Sequence, residues 1–240
     1  YLWIPPALVL AGLAWRRPVV RATLARGGLV FLVSFIAVTG PWMARNYFHF
    51  GRLFIAERGG MILAIRAETN MMNRDEYLAS FLYWSNSHFL EETLRRLYPD
   101  ETLARLNPGN ERGFVQLARS RRREINDELH DTTLADQRLF EESLRKIREH
   151  PFRHLLATLP IAHRGIYVKS PAAVCLLLWV LFFGALWVSA RTGDAAALAA
   201  LTPALLSLAF HSFLTHNIPR YNAVLIPALW VALAVCLDRW

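Results

Sequence analysis

The chain has 240 residues, of which 54% are hydrophobic and 19% are charged, and its formal net charge is +8 at pH 7. Soluble domains average about 45–50% apolar and about 25% charged residues, so this composition excludes disordered, collagen-like and disulfide-rich chains. The two cysteines, Cys175 and Cys236, lie in apolar runs and allow neither a disulfide framework nor a cysteine zinc site. Because the sequence begins with Tyr1 inside an apolar stretch, we expect the C-terminal part of a longer membrane protein.

Uninterrupted apolar stretches are the main topological signal. Five stretches contain no Asp, Glu, Lys or Arg, and these are residues 1–15, 27–44, 170–190, 195–219 and 221–237. A membrane-crossing helix needs roughly 20 apolar residues, and a charge near the bilayer centre costs about 2.5–3.5 kcal/mol. Four stretches are long enough to cross, and the first is interpreted as a truncated span. The pattern predicts an all-α, multi-span helical membrane protein with about five spans.

The short loops predict the orientation. The loop between the first two stretches carries Arg16, Arg17, Arg21 and Arg26 without any acid, which places it in the cytoplasm by the positive-inside rule. Residues 1–44 then form two transmembrane helices with a basic cytoplasmic loop, and residues 45–169 form an extracytoplasmic helical segment. Residues 170–240 form three further transmembrane helices. We expect a multi-pass protein of the cell (inner or plasma) membrane.

The extracytoplasmic segment differs in composition from the rest of the chain. It contains every acid except Asp194 and Asp238, and its apolar residues recur at helical spacing near residues 75–84, 89–98 and 111–130. Thr133 with Asp136 resembles a capping box that opens a helix, and Pro151 ends that helix. The apolar residues between 152 and 161, with basic residues among them, predict a helix at the membrane surface.

The end of the second stretch carries a compact motif. It runs Gly40-Pro41-Trp42-Met43-Ala44-Arg45-Asn46-Tyr47 and places an arginine on the outer face. A guanidinium there can hold a lipid phosphate through two hydrogen bonds. The alternative is that Trp42, Arg45 and Tyr47 only anchor the helix at the interface.

Two more motifs belong to the same predicted face. Gly59 and Gly60 allow a close approach of the backbone to a ligand, or they form a plain turn. Arg220 and Tyr221 begin the last stretch, so a second arginine is expected on the side of Arg45, again with interfacial anchoring as the alternative.

Metal and nucleic-acid binding find little support in the sequence. His211 and His216 are five residues apart and lack an accompanying acid, so we expect no metal site. The basic residues 119–123 lack stacking aromatics, and we therefore expect a solvated helix face and no nucleic-acid partner.

The order of these motifs resembles the C-terminal half of the GT-C membrane glycosyltransferases, in particular the dolichyl-phosphate-mannose-protein mannosyltransferase-like and aminoarabinose-transferase-like group. The resemblance is carried by Gly40-Pro41-Trp42, Arg45-Asn46-Tyr47, Phe50-Gly51, Gly59-Gly60, Arg220-Tyr221 with Pro227, and His150-Pro151. It spans nearly the whole chain, but the charged insertion from Met71 to Arg145 matches no feature of the family.

The resemblance implies an enzyme that transfers a sugar from a polyprenyl-phosphate donor to a lipid, glycan or protein acceptor on the extracytoplasmic face. Arg45 and Arg220 would bind the donor phosphate, with Asn46, Tyr47, Tyr221, Gly59 and Gly60 around the donor. The catalytic acid of the family belongs to a loop expected upstream of Tyr1, so this fragment alone is expected to be inactive. No cofactor is expected, and the polyprenyl-phosphate sugar is the donor substrate. The expected partners are the lipid bilayer, this donor and the acceptor. The alternatives are a non-catalytic subunit or flippase of envelope polysaccharide export, and a membrane-anchored sensor.

Overall fold

The computed structural model describes residues 18–51, 53, 59–85, 90–167, 172–217 and 225–239. Regular structure within these ranges is entirely helical, which confirms the predicted all-α class. The described helices are α1 (Pro18–Phe50), α2 (Gly59–Thr69), α3 (Arg74–Tyr83), α4 (Glu91–Leu97), α5 (Asp100–Leu106), α6 (Phe114–Leu129), α7 (Thr132–Glu149), α8 (Pro151–Ile166), α9 (Ala172–Thr192), α10 (Ala195–Leu214) and α11 (Ile226–Arg239). The predicted first span, residues 1–15, lies outside the described residues.

Helix α1 belongs to a unit formed by Tyr1–Arg58, separate from the unit Gly59–Trp240. It contains the whole charge-free stretch 27–44 and continues through Arg45-Asn46-Tyr47. It ends at Gly51, whose amide donates to the Tyr47 carbonyl at 2.8 Å and whose φ is +69°. A left-handed residue at this position favours glycine because there is no Cβ to clash. The motif Phe50-Gly51 is therefore a helix stop.

The helices between Gly59 and Glu149 form two apolar clusters inside the second unit. In the first, α2, α6 and α7 bury side chains against one another: Ala64, Ile65, Ala118, Ile125, Ala135 and Leu139. In the second, α3 to α6 pack with α8 through Ala79, Trp84, Leu94, Leu106, Phe114 and Ile161. The helices predicted near residues 75–84, 89–98 and 111–130 are confirmed as α3, α4 and α6, each with boundaries within a few residues.

The cap of α7 corrects one sequence prediction. Asp131 is the N-cap, and its carboxylate accepts hydrogen bonds from the amides of Thr133 at 2.8 Å and Leu134 at 3.0 Å. The capping box predicted from Thr133 and Asp136 is therefore wrong, because both residues lie inside the helix. The predicted stop at Pro151 is confirmed: α7 ends at Glu149 and Pro151 opens α8.

The last three helices are the apolar part of the second unit. Two of the described helices are long and apolar enough to cross a membrane, Ala173–Thr192 in α9 and Ala196–Leu214 in α10. A shorter apolar helix, Ile226–Asp238, lies in α11. Their shared core includes Trp179, Phe182, Leu201, Leu208 and Leu229.

The outer surface of these helices is also apolar. Leu177, Val180 and Trp187 of α9 are more than half exposed, an arrangement typical of a helix that faces lipid. The turn between α9 and α10 is tight: Gly193 has φ +69°, and Asp194 caps α10 by accepting from the Ala197 amide at 3.0 Å.

Candidate functional site at the end of helix α10

The predicted motif Arg45-Asn46-Tyr47 lies in the last two turns of α1. The Arg45 guanidinium carbon is 5.0 Å from the centre of the Trp42 ring, and its Nη1 donates to the Asn46 side-chain oxygen at 3.4 Å. Arg45 and Tyr47 are exposed, whereas Asn46 is buried. An exposed arginine stacked on a tryptophan suits both interpretations of this motif, phosphate binding and interfacial anchoring.

Gly59 and Gly60 form the first turn of α2. The Gly60 amide donates to Asp136 Oδ2 at 2.9 Å, and the Met61 amide donates to Oδ1 of the same carboxylate at 3.1 Å. A Cβ on Gly60 would lie 2.0 Å from the Asp136 carbonyl oxygen, whereas one on Gly59 would meet nothing within 4 Å. The close backbone approach at Gly60 is therefore made to α7 of the same chain.

Arg220 and Tyr221 lie outside the described residues, and Arg45 belongs to the other unit. The proximity of the two arginines therefore stays a prediction. The structure instead reveals two other arginines, Arg66 and Arg164, which both donate to backbone carbonyls where α10 ends.

Arg66 of α2 is completely buried, with 0% of its surface exposed. Its Nε donates to the carbonyl of Phe213 at 3.2 Å. Its Nη2 donates to the carbonyl of His154 at 2.8 Å and to the hydroxyl oxygen of Thr158 at 2.7 Å. The side chain thus joins α2 to α8 and to the last turn of α10, where the helix dipole favours a positive charge.

A buried polar network continues from Arg66. Its Nη1 donates to the side-chain oxygen of Asn70, so the Asn70 amide group faces Nδ1 of His154 at 3.1 Å. Because that amide donates, His154 Nδ1 accepts, and the imidazole is neutral in this arrangement. Burial, with a smaller contribution from the charge of Arg66, lowers the pKa of His154 to about 4. Burial also lowers the pKa of Arg66, to about 9.

Arg164 lies in the last turn of α8. Its guanidinium carbon is 5.0 Å from the centre of the Trp84 ring, and its Nη1 donates to the carbonyl of His216 at 3.4 Å. Burial lowers the pKa of Arg164 to about 10, which the nearby Tyr83 hydroxyl partly offsets. The residue is half-buried.

Neither arginine forms an ion pair with a carboxylate among the described residues. By contrast, half-buried Arg105 lies 3.0 Å from Glu76, and half-buried Lys146 lies 2.8 Å from Glu68. A buried charge without a counter-ion is costly. The end of α10 therefore carries positive charge that no carboxylate of the described residues neutralises, which suits the binding of an anion.

A polar cleft is lined in part by Tyr83. It has a volume of about 650 Å³ and lies between α3, α4 and α5. Tyr83, Glu91, Arg95, Asp100 and Asn107 contribute its polar lining. Burial raises the pKa of Tyr83, so its hydroxyl stays protonated at neutral pH. Hydroxyl, carboxylate and amide groups together suit a hydrophilic, hydroxyl-rich ligand.

Sequence reasoning missed Arg66 as a site residue, although one signal was present. Arg66 follows the apolar run Met61–Ile65 and precedes Ala67, so it falls on a helix that has little polar surface. An arginine in such a helix either reaches water or is bound inside the protein. Only the structure shows that the second case holds.

Comparison with known proteins adds no relative: no family model, no curated protein and no solved structure matches the chain. Within the described part of the chain, no group of three or more His, Cys, Asp or Glu side chains is arranged to hold a metal ion.

Proposed function

We propose that the chain is part of a membrane glycosyltransferase that takes a sugar from a polyprenyl-phosphate donor and passes it to a lipid, glycan or protein acceptor. The motifs shared with the GT-C group support the reaction type. The two helices able to cross a membrane support the location. The proposal includes about five spans, with residues 45–169 on the extracytoplasmic face.

The observation that carries this proposal is the position of Arg164. This residue is half-buried, has no carboxylate partner among the described residues and lies beside the end of an apolar helix. A polyprenyl phosphate presents an anion directly attached to a chain that stays in the bilayer. Arginine binds phosphate well because its planar donors match two phosphate oxygens.

Each arginine has a separate role in the proposal. Arg164 binds the donor phosphate, and Arg66 holds α2, α8 and α10 in place around it. Arg45 and Arg220 are proposed as further phosphate ligands on the strength of the motif resemblance, with Asn46, Tyr47 and Tyr221 orienting the donor. The acid that activates the acceptor hydroxyl is expected upstream of Tyr1. The polar cleft beside Tyr83 is proposed to receive the acceptor.

A transport function is the second candidate. Pro41 lies inside α1 and Pro203 inside α10, and helix-breaking residues within spans are typical of transporters. A flippase or export subunit would move a lipid-linked glycan without transferring its sugar. Both candidates require phosphate recognition. They differ in whether a sugar is transferred.

The first test measures binding of decaprenyl monophosphate to the intact protein in lipid nanodiscs. We expect Arg164→Gln to weaken binding at least about tenfold, because a charge-assisted phosphate contact is lost. The control is Arg119→Gln, an exposed arginine on α6, which should bind as the wild type does. Equal affinity of Arg164→Gln and the wild type would refute the phosphate role.

The second test separates the two candidate functions. Transfer of radiolabelled sugar from a polyprenyl-phosphate donor to an acceptor, measured with the intact protein, identifies the enzyme. Movement of the donor across a sealed vesicle without any transferred sugar identifies the transporter.

A further inference from the structure

The polar cleft beside Tyr83 is lined by residues between positions 82 and 110, inside the charged insertion that matches no feature of the resembling family. Three of its lining residues, Leu82, Leu94 and Leu103, also belong to the apolar cluster shared by α3 to α6 and α8. The cleft is therefore backed by packed core. Side chains that are supported in this way are held in place for a ligand.

The lining offers both acceptors and donors of hydrogen bonds. Glu91 of α4 and Asp100 of α5 contribute carboxylates, which only accept when they are ionised. Arg95 contributes a guanidinium, which only donates, and Tyr83 contributes a hydroxyl. Acceptors thus come from two helices, and a donor lies one turn beyond Glu91 on α4.

Two asparagines in the turn after α5 add further donors. The side-chain oxygen of Asn107 accepts from the Gly109 amide at 2.9 Å, and that of Asn110 accepts from the Arg112 amide at 2.9 Å. These bonds use the oxygen of each side chain to fix the turn. The side-chain NH₂ group is then the donor that each asparagine offers to a ligand.

A mixture of donors and acceptors suits hydroxyl groups. A hydroxyl both donates and accepts, whereas an ionised phosphate is bound through donors alone and an ammonium through acceptors alone. A sugar carries several hydroxyls on one ring, so it can bond to carboxylates and amides at once. A lipid chain in the cleft would remove water from these polar groups without giving them partners, which is costly.

A peptide fits the cleft less well than a sugar does. Peptides are commonly bound at an exposed sheet edge, in an apolar groove or by a cluster of arginines. The described part of the chain contains no strand. Six of the ten lining residues are polar, and one of them is an arginine.

The charge of the lining distinguishes the cleft from the phosphate site. Two carboxylates and one guanidinium give the lining a net charge of −1, whereas Arg66 and Arg164 make the end of α10 positive. Tyr83 lines the cleft, and its hydroxyl interacts electrostatically with both Glu91 and Arg164. The two regions are therefore neighbours of opposite charge, and an acidic sugar is repelled from the cleft.

We infer that the cleft binds the end of a glycan without acidic sugars, and that this glycan is the acceptor. The role as acceptor rests on the proposed function, whereas the binding of the glycan rests on the cleft alone. The acceptor class is thereby narrowed from lipid, glycan or protein to glycan.

Saccharide binding to the intact protein in lipid nanodiscs, without any donor lipid, tests this inference. The uncharged probes are maltotriose, mannotriose and chitotriose, and the anionic probe is trigalacturonic acid. Titrations followed by saturation-transfer NMR give the affinities. We expect at least one uncharged trisaccharide to bind at least about tenfold more tightly than trigalacturonic acid.

Two adjacent glutamates provide a matched pair of variants. Glu91→Ala removes a carboxylate from the lining and should weaken binding of the uncharged trisaccharide at least about tenfold, because a charge-assisted hydrogen bond is lost. Glu92, the next residue on α4, is exposed, lies outside the lining and pairs with Arg96, so Glu92→Ala should bind as the wild type does. Asp100→Asn removes the net negative charge and should reduce the preference over trigalacturonic acid.

Three results would overturn the inference: no uncharged trisaccharide binds the wild type, Glu91→Ala and Glu92→Ala lose affinity equally, or trigalacturonic acid binds as tightly as the uncharged probes. Binding of decaprenyl monophosphate to the same preparations keeps this outcome apart from that of the proposed function. A protein that binds this phosphate through Arg164 but binds no saccharide loses the glycan site alone. A protein that binds saccharide through Glu91, and whose phosphate binding survives Arg164→Gln, keeps the glycan site and loses the donor role.

Discussion

The carboxylate of Asp136 binds the backbone amide of Gly60, 76 positions earlier in the sequence, at 2.9 Å. It also accepts from the amide of Met61, so one acid on α7 caps the first turn of α2. The negative charge lies where the helix dipole favours it. This contact holds the start of α2 against α7. Arg66 lies further along α2 and contacts the end of α10.

The two adjacent glycines should respond differently to substitution. Gly60→Ala places a Cβ 2.0 Å from the Asp136 carbonyl oxygen, so we expect a loss of about 1–3 kcal/mol in the free energy of unfolding. Gly59→Ala has open space and should be neutral or up to about 1 kcal/mol stabilising, because alanine favours helix. Thermal unfolding in detergent, followed by circular dichroism, measures both.

The same pair tests the donor role predicted for these glycines. If Gly59→Ala lowers donor affinity while leaving the melting temperature unchanged, Gly59 approaches the donor. Equal destabilisation by both alanines would contradict the packing described for Gly60.

Replacing Arg66 should destabilise the protein although a buried charge is removed. Arg66→Met leaves the partly buried Phe213 carbonyl without its charged donor, and we expect a loss of about 2 kcal/mol. Arg119→Met, an exposed arginine on α6, should change stability by less than about 0.5 kcal/mol. Denaturant unfolding of the two variants gives the comparison, and equal stabilities would show that the network around Arg66 contributes nothing.

Acid should weaken the protein through His154. Its pKa is about 4 in the folded protein against an ordinary value of 6.5, so the unfolded chain binds the proton first as the pH falls. The stabilising contribution of neutral His154 is complete above about pH 6.5 and is lost between pH 6.5 and 4. We expect His154→Gln to lose less stability across this window than the wild type does, by a difference on the order of 1 kcal/mol.

Two controls define that measurement. His130→Gln changes an exposed histidine and should keep the pH dependence of the wild type. His163 also has a pKa lowered by burial, so His163→Gln is measured separately to subtract its share. A pH profile unchanged in His154→Gln would contradict the neutral, amide-bound imidazole.

The predicted topology is accessible to thiol labelling. A cysteine at Asn110 should react with a membrane-impermeant reagent in intact spheroplasts, because residues 45–169 are expected outside. A cysteine at Thr192, beside the turn between α9 and α10, should react only after lysis. Reversed labelling would invert the orientation, and labelling of both before lysis would exclude a span between them.

Local signals were sufficient to predict most of the helices. The apolar spacing near residues 75–84 and 111–130, the break at Pro151 and the apolar runs after residue 170 all depend on nearby residues, and helix formation responds to such residues. The error at the start of α7 arose between two equally local patterns, because Asp131 and Thr133 are both good caps. The geometry of a single turn decided between them.

The candidate site was much less predictable, because its contacts join distant parts of the chain. Nothing near Arg66 in the sequence indicates that its partners are His154, Thr158 and Phe213. The amphipathic pattern of α8 was visible, but the pattern alone placed Ile161 with the exposed apolar residues. The structure buries Ile161 completely and leaves Phe152 and Leu155 open.

The bond between Arg66 and the Phe213 carbonyl has a consequence for how the protein is made. The two residues are 147 positions apart, and ribosomes add about 5–20 residues per second, so Phe213 is synthesised roughly 7–30 s after Arg66. During that interval the helical segment exists without the end of α10, and the Arg66 side chain has no carbonyl there to bind. The final arrangement around Arg66 is therefore completed only after α10 has been synthesised, so the burial of this arginine is a late step in folding.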